Sequence, residues 1–266
     1  MIHYKSAEEI ELMGLSSMLV SKTHATLVPF IKPGVALKYL DKIAEEFVRD
    51  NGAEPAFLGY NGFPASLCIS VNEEIVHGIP SDRVIQEGDL LSIDHGVKLN
   101  SFFGDSAFTF PVCVEDESHL KLLKVTLESL WKGIEQAKVG NRIGDIGYAI
   151  QNHTQTLNGY GVVRDLIGHG IGKNLHESPE VPNFGRRGKG LKIKEGLVIA
   201  IEPMINLGTQ RIKQLDDGWT IITADKKPSA HFEHTVAVTK DGPQVLSNHE
   251  LIFNEIKKSE YIIDFQ

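Results

Sequence analysis

Apolar residues at helical spacing alternate along the chain with short apolar runs that are bounded by turn residues. Ser6 and Glu9 have the spacing of a capping box, which predicts a helix that extends to about Val28. A second helix is predicted to end at Asn51-Gly52. Its apolar face consists of Leu37, Leu40, Ala44, Phe47 and Val48. The chain is therefore predicted to open with two helices.

Four short apolar runs follow and predict strands: SLCISV, IVHGIP, DLLSIDHG and GDSAFTFPVCV. A third helix is predicted from about Glu117, and a fourth follows within KVGNRIGDIGYAIQNHTQTLNGYG. Strand-like runs return in GLVIAIEPM and HFEHTVAVT. Because helices and strands occur in separate blocks, the pattern favours an α+β fold with a mainly antiparallel sheet.

The second half of the chain repeats the order of the first, with two helices followed by strands. Leu37 corresponds to Ile143 after a shift of 106 residues, and EGDLLSID corresponds to EGLVIAIE after a shift of 108. The second match aligns Asp94 with Glu202. We therefore predict a single domain, residues 1–266, with an internal duplication whose halves span roughly residues 30–114 and 136–240.

Composition limits the class of protein. With 266 residues and 41% hydrophobic content, the chain is long enough for a sizeable core. A formal net charge of −8 does not favour a nucleic-acid partner. Two cysteines, Cys68 and Cys113, favour a reducing cytosol over a disulfide framework. The start MIHYKSAEEIELM differs from a signal peptide, and no run approaches the roughly 18–20 apolar residues of a membrane span. We therefore expect a cytoplasmic protein.

Four carboxylates interrupt apolar runs: Asp94, Asp105, Glu202 and Glu233. Burial of an ion costs several kcal/mol, so one such residue alone is more typical of an edge strand whose acid faces water. Four of them, two related by the duplication, favour a shared centre. Clustered carboxylates repel one another unless cations are present, and divalent metals prefer oxygen ligands.

Histidines supply further candidate ligands. His169 and His176 lie in GHGIGKNLHESP, among glycines that permit close approach of the backbone, and His77 ends the apolar run of EEIVHGIP. Three histidines lie beside candidate ligands and are expected to face the other side of their strands: His95, His231 and His234. The chain has no HExxH, CxxC or GxSxG motif, which excludes zincin, zinc-finger and serine-nucleophile sites of those types.

Five motifs in order resemble those of type I methionine aminopeptidases, which have the pita-bread fold. They are HGIP, Asp94 and Asp105 eleven residues apart, GHGIG with the later HE, IEPM, and FEHT. The resemblance extends from the first helix to about Val238. It implies a metalloaminopeptidase that removes the N-terminal methionine of nascent proteins by means of a metal-bridging hydroxide. It also implies a preference for a small second residue.

The resemblance implies a set of residues that bind two divalent metals, Co, Mn, Fe or Zn: Asp94, Asp105, His169, Glu202 and Glu233. Glu202 is also the implied proton shuttle. His77 and His176 are implied to position the scissile amide and to assist its oxyanion. Some members bind a monovalent cation, for which Ser92 and Ser229 are the matching positions.

A methionine pocket is also implied, lined by Tyr60, Phe63, Cys68, His77, His176 and Trp219. For Phe63 and Trp219, a plain core position is the alternative interpretation. Phe57 stands where a cysteine is frequent in the family, and Leu175 stands where a phenylalanine is frequent. Both remain apolar, so the departures concern the shape of the pocket and not the chemistry.

Two other functions stay open at this point. One is an X-Pro aminopeptidase or prolidase-like peptidase, which uses the same five ligands, and the other is a non-catalytic binding protein with the pita-bread fold.

The expected partners are peptide and nascent-chain N-termini, and the expected state is a monomer. The basic segment RRGKGLKIK predicts a solvated loop, with a transient ribosome contact as the alternative. Apolar residues of HELIFNEIKKSEYIIDF predict that the C-terminal segment docks on the body.

Overall fold

The computed structural model describes residues 2–266 and contains five α-helices and fifteen strands. The helices are α1 (Ala7–Leu27), α2 (Leu37–Asp50), α3 (Glu117–Ile134), α4 (Ile143–Gln151) and α5 (Glu250–Ile256). The first-half strands are β1 (Glu54–Pro55), β2 (Cys68–Val71), β3 (Glu74–Val76), β4 (Leu90–Leu99) and β5 (Phe102–Pro111). The remaining strands are β6 (Gly161–Val162), β7 (Gly168–Gly170), β8 (Glu177–Val181), β9 (Val198–Ile201), β10 (Met204–Asn206), β11 (Ile212–Gln214), β12 (Ile221–Thr223), β13 (Ser229–His231), β14 (His234–Thr239) and β15 (Gly242–Val245).

Every pairing between these strands is antiparallel, which confirms the predicted α+β class. The sheets have the strand orders β1-β4-β2, with β5 also on β4, then β13-β10-β6, β11-β12-β3 and β15-β14-β9-β7-β8. Helix α1 packs along β4 and β5, and α3 packs against β9, β10 and β13. Among the residues described, no helix combines the length and apolar character that a membrane crossing needs.

The helix starts follow the local sequence signals. The Glu9 amide donates to Ser6 Oγ over 3.3 Å, and the Ser6 amide donates to Glu9 Oε2 over 3.1 Å, so the predicted capping box is formed. Helix α4 begins at Ile143, later than the segment from Lys138 suggested. Gly140 has φ of 97°, in the left-handed region, and this turn precedes the helix.

A long hairpin of β4 and β5 forms the centre of the first half. Its two turn residues, Asn100 (φ 50°) and Ser101 (φ 68°), are both left-handed, as the common two-residue hairpin turn requires. The turn sets Leu99 opposite Phe102 and Asp94 opposite Ala107. A register shift of one residue would move every side chain of a strand to its other face. The turn therefore helps to decide which side chains of the hairpin face the interior.

Two strands predicted as continuous are each broken in the structure, which corrects the sequence interpretation. Glu202-Pro203 separates β9 from β10, and Phe232-Glu233 separates β13 from β14. Pro203 has no amide hydrogen to donate to a sheet, which accounts for the first break. Glu202 and Glu233 therefore lie at interruptions and not within strands.

The two halves start their second helices in the same way. The Leu37 amide donates to the Arg83 carbonyl over 2.9 Å, and the Ile143 amide donates to the Leu191 carbonyl over 3.0 Å. These donors are related by the shift of 106 residues and the acceptors by the shift of 108. We propose on this basis that the halves derive from one duplicated unit.

The C-terminal segment docks on the body as predicted. Phe253 in α5 and the later Phe265 are buried against Phe108 of β5, and the Phe108 and Phe253 rings meet edge to face with centroids 5.1 Å apart. Phe108 lies on the face of β5 opposite to Asp105, because side chains alternate along a strand. The tail thus covers the back of the strand that carries Asp105.

Candidate metal centre

The four predicted acids converge from two pairs of strands. Gly96 is opposite Asp105 in the hairpin, so Asp94 and Asp105 are diagonal neighbours on the same face. In the second half, the pairings on either side of the break place Glu202 opposite Glu233. Asp105, His169 and Glu233 each offer a ligand atom within 4.8 Å of the other two. The fold thus brings together residues that are far apart in sequence.

His169 completes this group with a defined tautomer. It lies in β7, and its Nδ1 is 2.9 Å from the Gly170 carbonyl, which can only accept a hydrogen bond. The proton is therefore on Nδ1, and the Nε2 lone pair is free. Nε2 lies 4.0 Å from Asp105 Oδ2 and 3.7 Å from Glu202 Oε1. A neutral imidazole held by a backbone carbonyl in this way is a typical metal ligand.

Close backbone packing explains the glycines on either side of His169. A Cβ atom on Gly168 would lie 2.4 Å from the Ala200 carbonyl oxygen, and one on Gly170 would lie 2.4 Å from the Ser178 carbonyl oxygen. Both distances are shorter than any contact that a real Cβ atom makes with a non-bonded oxygen. The glycines therefore permit β7 to pass between β8 and β9 and to present His169 to the acids.

Burial makes the acids unusually weak without a cation. It raises the pKa of Asp94 from its ordinary 3.8 to about 7, although hydrogen bonding with Asp105 acts in the opposite direction. Burial also raises the pKa of Asp105, Glu202 and Glu233 well above the ordinary values, and neighbouring carboxylates raise it further. Burial lowers the pKa of His169 to about 3, so its imidazole is neutral.

The donor set fits divalent metal ions. Asp94 Oδ1, Asp105 Oδ1 and Glu233 Oε1 are buried and have no hydrogen-bond partner among the described residues. Unpartnered buried carboxylate oxygens cost free energy, and a cation between them would remove that cost. Four carboxylates and one imidazole are a ligand set that Mn, Fe, Co and Zn all accept.

His77 and His176 flank the centre without belonging to the ligand group. His77 has φ of 60°, a left-handed conformation that is uncommon for a residue with a side chain. The His176 ring lies 4.2 Å from the His169 ring between centroids, and His176 Nδ1 is 2.8 Å from the Tyr60 hydroxyl. Burial is the main cause that lowers the pKa of His77 and of His176.

A cavity of about 240 Å³ contains all of these groups. Its walls include every residue predicted for the ligand set, the catalytic histidines and the methionine pocket, together with Phe57 and Leu175. Trp219 meets Phe63 edge to face with centroids 5.1 Å apart. Strand β12 pairs with β3 and places Trp219 there, so the two aromatics are cavity walls and not plain core residues.

Sequence reasoning missed five other residues of the cavity wall: Asn61, Val76, Leu166, Ile167 and Met204. Met204 belongs to the IEPM motif, and Asn61 and Val76 are next to predicted residues. Adjacency in sequence to a predicted site residue could therefore have indicated these three. Nothing in the local pattern marks Leu166 or Ile167.

Phe57 occupies space that a glycine leaves free. A Cβ atom on Gly96 would lie 2.7 Å from Cε1 of Phe57, so the ring rests directly on the β4 backbone beside Asp94. Leu175 is also buried on the cavity wall. The apolar character expected at both positions is therefore kept.

The histidines beside the ligands do not all behave as expected. His234 hydrogen-bonds through Nδ1 to Ser247 Oγ at 2.7 Å, and His95 through Nδ1 to the Ser66 carbonyl at 3.2 Å, both outside the cavity. The expectation for His231 was wrong, because its Nε2 lies 3.8 Å from Glu202 Oε2. His231 ends β13 directly before the break, and like His95 and His234 it does not line the cavity.

The two serines of the expected monovalent cation site are both buried. Ser92 Oγ is 2.8 Å from Thr109 Oγ1, and Ser229 Oγ donates to Asn206 Oδ1 over 2.8 Å. The two hydroxyls have no hydrogen-bond partner in common. The monovalent cation stays a prediction.

Comparisons with known proteins identify the family. Residues 11–240 match metallopeptidase family M24, and the chain belongs to this family. The chain is 49% identical over 247 residues to methionine aminopeptidase 1 of Bacillus subtilis. The aligned region covers 93% of this chain and 99% of that protein. The crystal structure of methionine aminopeptidase from Rickettsia prowazekii has a TM-score of 0.91 and 39% identity, with 93% of this chain and 100% of that chain covered.

A prolidase from Pyrococcus horikoshii has a TM-score of 0.75 and 25% identity, and this chain covers 63% of it. The fold is therefore the pita-bread fold of family M24, as the sequence motifs implied, and the likeness is closer to the methionine aminopeptidases than to this prolidase.

Proposed function

We propose that this chain is a methionine aminopeptidase that hydrolyses the first peptide bond of peptides and nascent proteins that begin with methionine. The observation that carries the proposal is the convergence of five ligand residues in one cavity whose remaining walls are mainly apolar. Membership of a metallopeptidase family and 49% identity to a methionine aminopeptidase support it.

The ligands of the proposed centre are Asp94, Asp105, His169, Glu202 and Glu233. Two divalent cations held there supply a Lewis acid and a nucleophile from water near neutral pH. Glu202 takes up the proton of the attacking water and returns it to the leaving amine.

His176 is proposed to donate a hydrogen bond to the substrate carbonyl as negative charge develops on its oxygen. When the Tyr60 hydroxyl donates to His176 Nδ1, the imidazole proton lies on Nε2, which then faces the substrate. His77 holds the scissile amide from the other side. The pKa of each imidazole is lowered, which favours the neutral form, in which one ring nitrogen donates a hydrogen bond.

The side chain of the first residue is proposed to enter the apolar part of the cavity. Its walls there are Tyr60, Phe63, Cys68 and Trp219, together with Phe57 and Leu175. An unbranched, polarisable thioether adapts well to such a mixed aromatic and aliphatic surface. A pocket for the first side chain favours methionine removal over proline-directed cleavage, in which the second residue is selected.

The test is a peptide assay on protein stripped of metal with a chelator. Met-Ala-Ser and Ala-Pro-Ser are supplied with and without added Mn²⁺ or Co²⁺, and Asp94→Ala is the control. Metal-dependent release of methionine by the wild type only is the expected result. Cleavage of Ala-Pro-Ser alone would favour a prolidase-like peptidase, and bound metal with no hydrolysis would favour a binding protein.

The native metal, the preference for a small second residue, the monomeric state and the cytoplasmic location stay predictions from the sequence. A ribosome contact of the basic segment 186–194 likewise stays a prediction. In the structure this segment is tied to the start of α4, since Arg142 Nη1 donates to the Gly190 carbonyl over 2.7 Å.

A further inference from the structure

His231 is a buried histidine beside the proposed metal centre, and it belongs neither to the ligand set nor to the proposed catalytic histidines. The Glu202 carboxylate lies between two imidazoles, one beside each oxygen. Oε1 is 3.7 Å from His169 Nε2, and Oε2 is 3.8 Å from His231 Nε2. His231 is therefore placed on the side of Glu202 that faces away from the ligand histidine.

The His231 side chain has no hydrogen-bond partner. Only 1% of the residue is exposed, and both Nδ1 and Nε2 lack a partner among the described residues. Its backbone, in contrast, is fixed on both sides by Thr109, whose Oγ1 accepts from the His231 amide over 2.9 Å and donates to the His231 carbonyl over 2.8 Å. A buried polar group without a partner costs about 1–3 kcal/mol and calls for a functional explanation.

The position of His231 matches that of Asp105 in the other half. Asp105 is the diagonal neighbour of Asp94 across the β4–β5 pair. His231 is opposite Met204, and so is the diagonal neighbour of Glu202 across the interrupted β10–β13 pair. Since Asp94 and Glu202 correspond in the repeat, the fold places His231 where the first half places a ligand.

We propose that His231 is a positioning residue that donates a hydrogen bond from Nε2 to Glu202 Oε2 in the metal-loaded protein. Closure from 3.8 Å to about 3 Å gives an ordinary hydrogen bond and needs only a small rotation of either side chain. The bond holds Glu202 with Oε1 toward His169 and the metal. Partners of this kind orient ligating carboxylates, and their loss typically lowers metal affinity or activity about 10–100-fold. The inference rests on the proposed metal centre.

The test compares His231→Leu with His231→Gln, which keeps a side-chain donor. Co²⁺ binding to the metal-free proteins is measured by calorimetry and by the visible absorption spectrum of the bound ion. We expect His231→Leu to weaken Co²⁺ binding about 10–100-fold and to change the spectrum. We expect His231→Gln to restore much of both.

His24→Leu is the matched control. His24 is fully buried, and neither of its ring nitrogens has a partner, but it packs against His95 and Phe110, whose side chains lie outside the cavity. This variant should change stability and leave Co²⁺ binding and its spectrum unchanged. Wild-type Co²⁺ binding by His231→Leu would overturn the inference, and so would a His231→Gln variant as weak as His231→Leu.

A measurement on the wild type does not depend on how the variants fold. In ¹⁵N-histidine NMR spectra, addition of Zn²⁺ should give His231 an Nε2–H proton that is protected from solvent exchange. A deprotonated or metal-bound Nε2 would contradict the proposed donor. Absence of any Co²⁺ or Zn²⁺ binding by the wild type would instead overturn the metal centre itself, and the two failures are thus distinguishable.

Discussion

Glu202 and Glu233 lie opposite one another at a point where two paired strands are both interrupted. Ile201 pairs with His234 before the break and Met204 pairs with His231 after it, so the register is kept across the gap. Antiparallel residues that face each other have side chains about 5 Å apart, and like charges there repel. Such a pair of glutamates is stable only when protonated or when bound to a cation.

Asp94→Asn should change how the stability of the metal-free protein depends on pH. Burial raises the pKa of folded Asp94 from 3.8 to about 7, so the folded state holds this proton more tightly than the unfolded state. The contribution of Asp94 to stability is therefore greatest below about pH 4 and is lost as the pH rises toward 7. Asparagine does not titrate, so this loss is absent from the variant. From pH 5 to pH 8, the free energy of unfolding of the wild type should therefore fall by about 2–3 kcal/mol relative to that of the variant.

Urea unfolding at the two pH values, in the presence of a chelator, measures this difference. Titrating groups far from Asp94 contribute equally to both proteins and cancel. Asp105, Glu202 and Glu233 are relieved of the Asp94 charge in the variant, which lowers their folded pKa and adds to the expected difference in the same direction. Asp241→Asn, at an exposed position, is the control, and its free energy of unfolding should depend on pH as that of the wild type does. Parallel pH profiles for the wild type and Asp94→Asn would contradict the pKa assignment.

Ser101→Gly should stabilise the protein and leave catalysis unchanged. Ser101 has φ of 68°, and glycine adopts this region without the strain of a Cβ atom. The change creates Asn-Gly, a favoured pair in two-residue hairpin turns. We expect the free energy of unfolding to increase by about 0.5–1 kcal/mol, measured by urea titration. The same change at Ser118, in the first turn of α3, should lower it.

Trp219→Ala should weaken binding of methionine peptides more than it slows the chemistry. Trp219 contributes an apolar wall and contacts Phe63, but it lies outside the ligand group. We expect KM for Met-Ala-Ser to rise about tenfold or more, with a smaller change in kcat. Trp131→Ala, in α3 and outside this cavity, is the control. A pure fall in kcat would mean that Trp219 acts on the transition state.

Phe253→Ala should destabilise the protein without altering the site. Phe253 is 4% exposed and packs on Phe108 behind the β5 strand. Truncation of a buried phenylalanine costs about 3–5 kcal/mol, which thermal unfolding would show as a lower Tm. Leu157→Ala, at a position 68% exposed, should change the free energy of unfolding by less than about 0.5 kcal/mol. Metal binding below the Tm should be the same in both variants, and a weakened affinity in Phe253→Ala would show that the tail also shapes the metal centre.

The local pattern of the chain determined much of the fold. Helical periodicity and the Ser6 capping box located α1, and the apolar runs located β4 and β5 around Asp94 and Asp105. These features depend on residues a few positions apart, so the sequence displays them directly. The five motifs in order, which no single pattern could replace, indicated the metallopeptidase family.

Only the tertiary structure decided which side of each strand faces the centre. The orientation of His231 toward Glu202 depends on the register of β10 and β13, which periodicity does not specify. Trp219 reaches the cavity because β12 pairs with β3, a contact between residues far apart in sequence. Long-range pairing fixes these positions through packing and hydrogen bonds that no local stretch contains, whereas the candidate ligands could be named from the four carboxylates in apolar runs and from the resemblance of the motifs.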